Sequence, residues 1–440
     1  MPAEEFDVVV AGGGPAGSTV AALVAMRGHR VLLVEREVFP RYQVGESLLP
    51  STVHGVCRML GVTDELAAAD FRVKRGGTFR WGARPEPWTF SYAASARLTG
   101  PASFAYQVER ARFDEILLNN AKRKGVEVRE GCPVTGVVEE GERVTGLRYT
   151  GPDGGAHEVR ARFVIDAAGH ESGLSAGGTR KHSDVFPGVA LFGYFGAGKR
   201  LPDPHSGNIL TVAFDSGWFW YVPLTGGLTS VGVVVRRDLA AKVEGDREKA
   251  FRALIDECPP IAELLSEAMR VTAGKYGKLR IREDYSYHQS TFWRPGMMLV
   301  GDAACSVDPV FSSGVHLATY GGLLAARSIN SVLAGDLDEK TALTEFEARY
   351  RREYEVFREF LTSFYEMDAN EESYFRHAKK VTDNEHSELE SFADLVGGVS
   401  SGEAALTAPD GPDAAPETPL FPGGPAASPD GMTWMPHHPA

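Results

Sequence analysis

FDVVVAGGGPAGS, residues 6–18, runs an apolar strand straight into a glycine cluster and on into a helix. The order strand, glycines, helix is that of a dinucleotide cradle. Gly12 suits the tight turn, Gly14 a close backbone approach to a pyrophosphate, and Gly17 the packing of helix on strand. Pro15 and Ala16 fall where the helix begins, with its N–H groups facing an anion. A helix is expected over Ser18 to Arg27, and the apolar run Val31 to Val34 reads as a second strand. Glu35 closes that strand about twenty positions past the glycines, the spacing of a carboxylate that accepts from ribose hydroxyls. Arg36 follows it. The fold class predicted from this unit is α/β with a Rossmann-like nucleotide domain.

At 440 residues the chain is long enough for about two domains with sizeable cores. The formal charge of −13 leaves no basic stripe to neutralise phosphates, which argues against nucleic acid and against an anionic membrane as partner. Cys57, Cys132, Cys258 and Cys305 are far apart and form no CxxC, so reduced thiols, a cytoplasmic setting and no metal site are expected. The start MPAEEFD is acidic and leads into too short an apolar run for a signal peptide, and no stretch has the length of a membrane-spanning helix.

Further along, the loop Glu37 to Pro50 carries Arg41, Gly45, Glu46 and Ser47 beside the expected nucleotide site, and Ser51 to Leu60 reads as a helix. Phe71 to Trp81 (FRVKRGGTFRW) suits a strand whose glycine pair permits a bulge or a close approach. Pattern alone makes Lys74 a solvated strand end. Arg110 and Arg112 precede an amphipathic helix, Phe113 to Lys124, and an arginine there can reach the cofactor. A hairpin is expected across GPDGG, and Phe163 to Gly169 reads as a buried strand. Between Val189 and Val235 four β-rich runs predict one antiparallel sheet, with Trp218, Trp220 and Pro223 in the aromatic run WFWYVP. Met297 to Gly314 joins an apolar strand to Asp302 and then to Ser312, Ser313 and Gly314, where a helix start with serine hydroxyls makes an anion site. Helical patterns follow to about Thr382, and from about Gly397 an Ala, Pro and Gly-rich segment reads as a flexible tail, within which Trp434 and Met435 are candidates to dock on a partner the sequence does not name.

Taken together, Gly12 to Gly17, the Asp166 segment and the Asp302 segment resemble the GR2-type flavin-binding domain of the monooxygenase superfamily. Lys74 in KRGGTF and the run Trp218 to Pro223, similar to a WxWxIP signature, resemble the flavin-dependent halogenases. The similarity is closest to the phenol halogenases of glycopeptide-antibiotic assembly and covers Glu4 to about Ala404. It implies an FAD-binding domain over 1–330, interleaved with an antiparallel β-sheet substrate domain (mainly 71–108 and 185–290), a helical C-terminal region over 331–396 and a tail over 397–440. It implies FAD held by Gly12, Gly14, Pro15, Ala16, Gly17, Glu35, Arg36, Arg41, Ser47, Arg110, Asp302 and Gly314, and chloride near Ser313 and Gly314. Hypochlorous acid made from reduced FAD, oxygen and chloride would cross a tunnel lined by Trp218, Trp220, Pro223, Phe311 and His316 to the catalytic Lys74.

Phe311 stands where tryptophan halogenases resemble one another in carrying a glutamate, which implies a phenolic ring, chlorinated ortho to its hydroxyl. His316 is a candidate phenol base or a packed core histidine. The resemblance implies a tyrosine, β-hydroxytyrosine or hydroxyphenylglycine held on a peptidyl carrier protein, for which Arg180-Lys181-His182 and Lys379-Lys380 are candidate docking charges. A single dinucleotide fingerprint implies a separate flavin reductase. The rival reading is a single-component aromatic hydroxylase that oxidises NAD(P)H itself.

Overall fold

The computed structural model describes residues 4–84, 86–174, 176–183, 188–283, 286–407 and 424–435. The opening strand is Glu4–Ala11, and Val8, Val9 and Val10 are fully buried, as a strand covered on both faces requires. It pairs in parallel with Val31–Val34 on one side and with Ala156–Asp166 on the other. Glu127–Arg129 and Met297–Leu299 extend the parallel set, and the expected GPDGG hairpin appears as Arg143–Thr150 antiparallel to Ala156–Asp166. Gly12 and Gly17 do what their spacing predicts. Gly12 has φ +104°, and a Cβ on Gly17 would lie 1.9 Å from the Gly12 carbonyl oxygen, so helix and strand pack there backbone to backbone. The helix is Pro15–Ala25, starting three residues before the expected position with Pro15 in its first turn. It lies against the helix Gly314–Ala334.

The second large sheet carries the β-rich middle of the chain. Its order is Met269–Arg270, Gly188–Gly196, Leu228–Arg236, Gly217–Pro223, Ile209–Phe214, Gly76–Arg80 and Trp88–Ser91. The expectation of a purely antiparallel sheet needs correcting, because Ile209–Phe214 and Gly76–Arg80 run parallel. The strand expected over Phe71 to Trp81 is broken at Arg75. Arg72–Lys74 pairs with Ala105–Gln107 in a small separate ladder, and Gly76–Arg80 joins the large sheet. The glycine pair admits Phe90: a Cβ on Gly76 would meet the Phe90 carbonyl oxygen at 1.9 Å, and one on Gly77 the Phe90 ring at 2.7 Å.

Alternation divides the aromatic run Trp218 to Pro223 between two cores. Trp218, Trp220 and Val222 join the main core, whereas Phe219 and Tyr221 pack on the other face, where Phe251 of the helix Arg247–Asp256 meets Phe219.

The helical C-terminal region consists of Glu339–Phe364, Glu371–Thr382 and Glu388–Gly397, while the helix Gly314–Ala334 crosses the boundary expected at 331 and stops at Gly335, φ +81°. The expected helix at 51–60 opens as a π-helix over Ser51–Val56 and continues as Cys57–Leu60. The flexible tail is corrected where it is described. Trp434 is fully buried, donates its indole N–H to Ser328 Oγ (3.0 Å) and lies under the guanidinium groups of Arg327 and Arg349. Arg327 in turn pairs through both terminal nitrogens with Glu403, each at 2.7 Å. The tail residues 408–423 and 436–440, and residues 185–187 at the start of the expected sheet range, lie outside the described residues. No helix among the described residues is long and apolar enough to cross a membrane.

Candidate functional site

One cavity of about 1120 Å³ opens over the C-terminal ends of the parallel strands. Its wall gathers residues from distant parts of the sequence: Gly12, Gly14, Pro15 and Ala16 from the glycine turn, Glu35 and Arg36 after the second strand, and Arg41 and Ser47 from the following loop. Arg110, Asp302 and Gly314 complete the set. Gly17 lies behind the wall as a packing contact. Glu35 Oε2 accepts from Gly13 N–H at 2.6 Å, which pins the carboxylate beside the glycine turn.

Arg110 is held at its post by a buried carboxylate. Its Nε and Nη2 bond Asp114 at 2.8 and 2.9 Å, Arg41 Nη1 reaches the same carboxylate at 2.7 Å, and Arg110 Nη1 donates to Val44 O at 2.7 Å. Burial alone would raise the Asp114 carboxyl, but the two guanidinium groups hold it below the usual carboxylate range. The loop 41–47 is thereby tied to the helix Arg110–Arg123.

Glu46 stands at the cavity as its loop predicts, whereas Tyr42 and Arg282 are cavity residues that sequence reasoning left unassigned. Tyr42 and Glu46 line it, and Glu46 accepts from Tyr194, which in turn bonds the Tyr42 hydroxyl at 3.0 Å. Burial raises the Glu46 carboxyl. Arg282 lines it too and pairs with Asp302 at 2.8 Å. Arg180 and His182 also belong to this cavity, with the Arg180 guanidinium 4.3 Å above Tyr287. Arg180 and His182 of the Arg180-Lys181-His182 cluster therefore stand at the nucleotide cavity, with Lys181 and His182 exposed.

The chemistry of the cavity wall fits a flavin dinucleotide. Ser47 Oγ is buried and finds no hydrogen-bond partner among the described residues. Ser313 Oγ is likewise orphaned at full burial, not on the cavity wall itself but between Ser312 and Gly314, which line it, at the start of a helix whose first turn has no side-chain cap. A buried hydroxyl without a partner is costly in isolation, and a bound halide or flavin oxygen would relieve it.

Lys74 lies outside this cavity. It is 2% exposed, its Nζ donates to Leu48 O at 3.0 Å and stands 5.5 Å from the Tyr92 ring centre. The solvated strand end expected from pattern is thus wrong: burial lowers the ammonium to about 7. Between cavity and lysine runs a continuous line of touching rings. Trp218 on the cavity wall meets Trp81 (6.2 Å between centres), Trp81 stacks on Phe364 (4.8 Å), and Phe364 meets Phe79 (5.4 Å). Phe79 then meets Phe90 (6.0 Å), and Phe90 meets Tyr92 (5.6 Å).

Of the expected tunnel residues, Trp218 and Trp220 line the cavity. Phe311 sits deeper, against Phe364 (4.5 Å), Phe360 (5.1 Å) and Phe79 (5.8 Å), beside the line of rings. Pro223 only ends its strand. His316 is corrected to the packed-histidine alternative: it is 1% exposed, with Nδ1 bonded to Ser51 Oγ (2.8 Å) and Nε2 to Glu353 Oε1 (2.9 Å). Both ring nitrogens are engaged, so it has none to offer a phenol.

A nucleotide cavity joined by an aromatic seam to a buried lysine is the layout of a two-compartment flavoenzyme. The family model described as tryptophan halogenase matches residues 7–100 and 93–408. The chain belongs to this flavin-dependent halogenase family, enzymes that use FAD reduced by a separate reductase and take chloride as the usual halide. It is 34% identical over 390 residues to a tryptophan 2-halogenase of Chondromyces crocatus, covering 88% of this chain and 72% of that protein. It is 30% identical over 429 residues to the flavin-dependent halogenase armH3 of Armillaria mellea, covering 91% and 82%. Among solved structures it is similar to the myxobacterial chondrochloren halogenase CndH, with TM-score 0.83, 48% identity and coverage of 98% and 100%, and to the halogenase CmlS, with TM-score 0.74, 31% identity and coverage of 90% and 76%. The narrower kinship with glycopeptide phenol halogenases rests on the sequence motifs alone.

Proposed function

We propose that this halogenase chlorinates a phenolic ring, of tyrosine, β-hydroxytyrosine or hydroxyphenylglycine type, ortho to its hydroxyl, and that the ring is presented on a peptidyl carrier protein. The observation that carries the reading is the burial of Lys74 at the far end of the ring path from the flavin cavity. Reduced FAD bound in the cavity would supply, together with oxygen as the oxidant, the oxidation of chloride to hypochlorous acid. Everything after that belongs to the chain. Ser313 and Gly314 hold the halide, the aromatic seam excludes water from the route, and Lys74 receives the oxidant and aims it at the ring. A lysine poised near neutrality can hydrogen-bond hypochlorous acid as the ammonium or accept chlorine as the free amine.

Phe311 favours a phenol over an indole. Its ring packs against Phe364, Phe360 and Phe79, and a phenol oxygen itself supplies the electron density that steadies a cationic ring intermediate. The carrier reading is supported by Lys379 and Lys380 at the end of the helix Glu371–Thr382. They stay on the surface and complement an acidic partner.

The test is mass spectrometry after incubation with FAD, a flavin reductase, NADH, oxygen and chloride over a panel of free and carrier-bound phenols, with tryptophan included. A chloride-dependent gain of chlorine on a carrier-bound phenol is expected. Chlorination of tryptophan alone would overturn the phenol assignment. A gain of oxygen, or NADH oxidation without the reductase, would restore the single-component hydroxylase.

A further inference from the structure

Trp218 is the first ring of the path, and its indole N–H is anchored. Trp218 Nε1 donates to the Tyr365 hydroxyl at 2.7 Å, and that hydroxyl is hydrogen-bonded to the carboxyl of Asp308. The chain of bonds joins three pieces of the fold: the strand Gly217–Pro223, the residue that ends the helix Glu339–Phe364, and the turn before Ser313. Asp308 Oδ1 also accepts from Val310 N–H at 3.0 Å, and its own N–H donates to Ser286 Oγ at 3.0 Å. Its carboxyl is 2% exposed and does not line the cavity, although Val307 and Pro309 on either side do. A buried carboxyl is expensive to keep, and here it is placed to hold a single indole through one intermediary.

We propose that Asp308 and Tyr365 are positioning residues which fix the Trp218 indole as the partition between the flavin cavity and the aromatic path to Lys74, so that the oxidant is delivered to Lys74 and not lost. The proposal rests on the delivery role given to Lys74 above. Direction along the chain follows from the chemistry of each group. An ionised carboxylate only accepts, so the Tyr365 O–H points at Asp308 and the phenol oxygen is left to receive the Trp218 N–H. A neutral carboxyl brings an O–H that competes for the same phenol oxygen. Burial raises Asp308 to about 7, opposed by the Val310 N–H and the Tyr365 hydroxyl, so the hold on Trp218 weakens on the acid side of neutrality. The side chain bonded to that carboxyl is Tyr365; Lys74, at the other end of the path, and the buried Asp166, raised to about 6 beside the cavity, also titrate near this range.

The two titrations are separated by watching Trp218 itself. In ¹⁵N-labelled protein without flavin, the indole N–H signal of Trp218, assigned by its loss in Trp218→Phe, is followed from about pH 6 to about pH 8. It is expected to titrate in the wild type, to move upfield and stop titrating in Tyr365→Phe, and to stop titrating in Asp308→Asn, which retains the shape of the site. With flavin and reductase present, chlorinated product per reduced flavin consumed is expected to fall about fivefold in Tyr365→Phe, the equivalent of one neutral hydrogen bond. Oxidant captured by an added thioether should rise to match. An indole signal that neither variant alters, or an unchanged product share, overturns the proposal. If no phenol in the panel is chlorinated by the wild type, the substrate reading fails separately, while the indole signal and the captured oxidant still decide the role of Asp308 and Tyr365.

Discussion

Lys74 places a primary amine among aromatic rings with one carbonyl oxygen for company. Its two strand neighbours, Arg72 and Val73, are exposed, and Arg75 follows, which is why pattern reading takes it for a surface residue. What hides it is the change of ladder at Arg75, a tertiary event with no local signature; the resemblance of KRGGTF found the residue where periodicity did not. Burial has a thermodynamic consequence with a definite sign. The amine falls from 10.5 to about 7 on folding, so between those values the unfolded chain binds the extra proton and stability rises with pH; below about 7 both states are protonated and the contribution is flat. The slope is at most about 1.4 kcal/mol per pH unit. Lys74→Met is expected to be more stable than the wild type near neutrality and to lose this slope. Denaturant midpoints of the two proteins at about pH 7 and about pH 9 check it, and equal slopes would contradict the burial.

Secondary-structure elements were more legible than their partners. The strand, glycine turn, helix and second strand are where spacing places them, because Gly12 and Gly17 each meet a backbone carbonyl that leaves no room for a side chain. The aromatic run was legible as a strand, and period-two alternation explains why Trp218, Trp220 and Val222 reach the cavity while Phe219 and Tyr221 do not. The tail was misread because composition describes a segment and not its partners. Trp434 binds Ser328 and Ser331, whose hydroxyls lie 106 and 103 positions earlier, on a helix face that looks complete without it. Trp434→Ala is expected to cost about 3 to 5 kcal/mol by emptying that slot and leaving Arg327 and Arg349 without the ring they share. Thermal melts measure it, and an unchanged midpoint would mean that the tail is only loosely laid on the helix.

Across the whole molecule, the two sheets divide the work: the parallel sheet presents the flavin cavity at its strand ends, and the mixed sheet carries the ring path away from it. Much of the cavity wall was readable from the sequence, since the glycine turn, the loop after Glu35 and the Asp302 segment are short motifs, whereas Tyr42 and Arg282 join it only through the fold. The far half was not readable, because Tyr92, Phe90 and Phe364 are ordinary core residues until the fold aligns them. That separation is the central claim, and Lys74→Ala tests it most directly when both compartments are measured in one reaction. With FAD, reductase, oxygen, chloride and an accepted phenol, the variant is predicted to bind FAD and to yield thioether-trapped oxidant at the wild-type rate while forming no chlorinated phenol. Chlorination retained in the variant, or oxidant production lost together with it, would contradict a path that begins at the flavin and ends at Lys74.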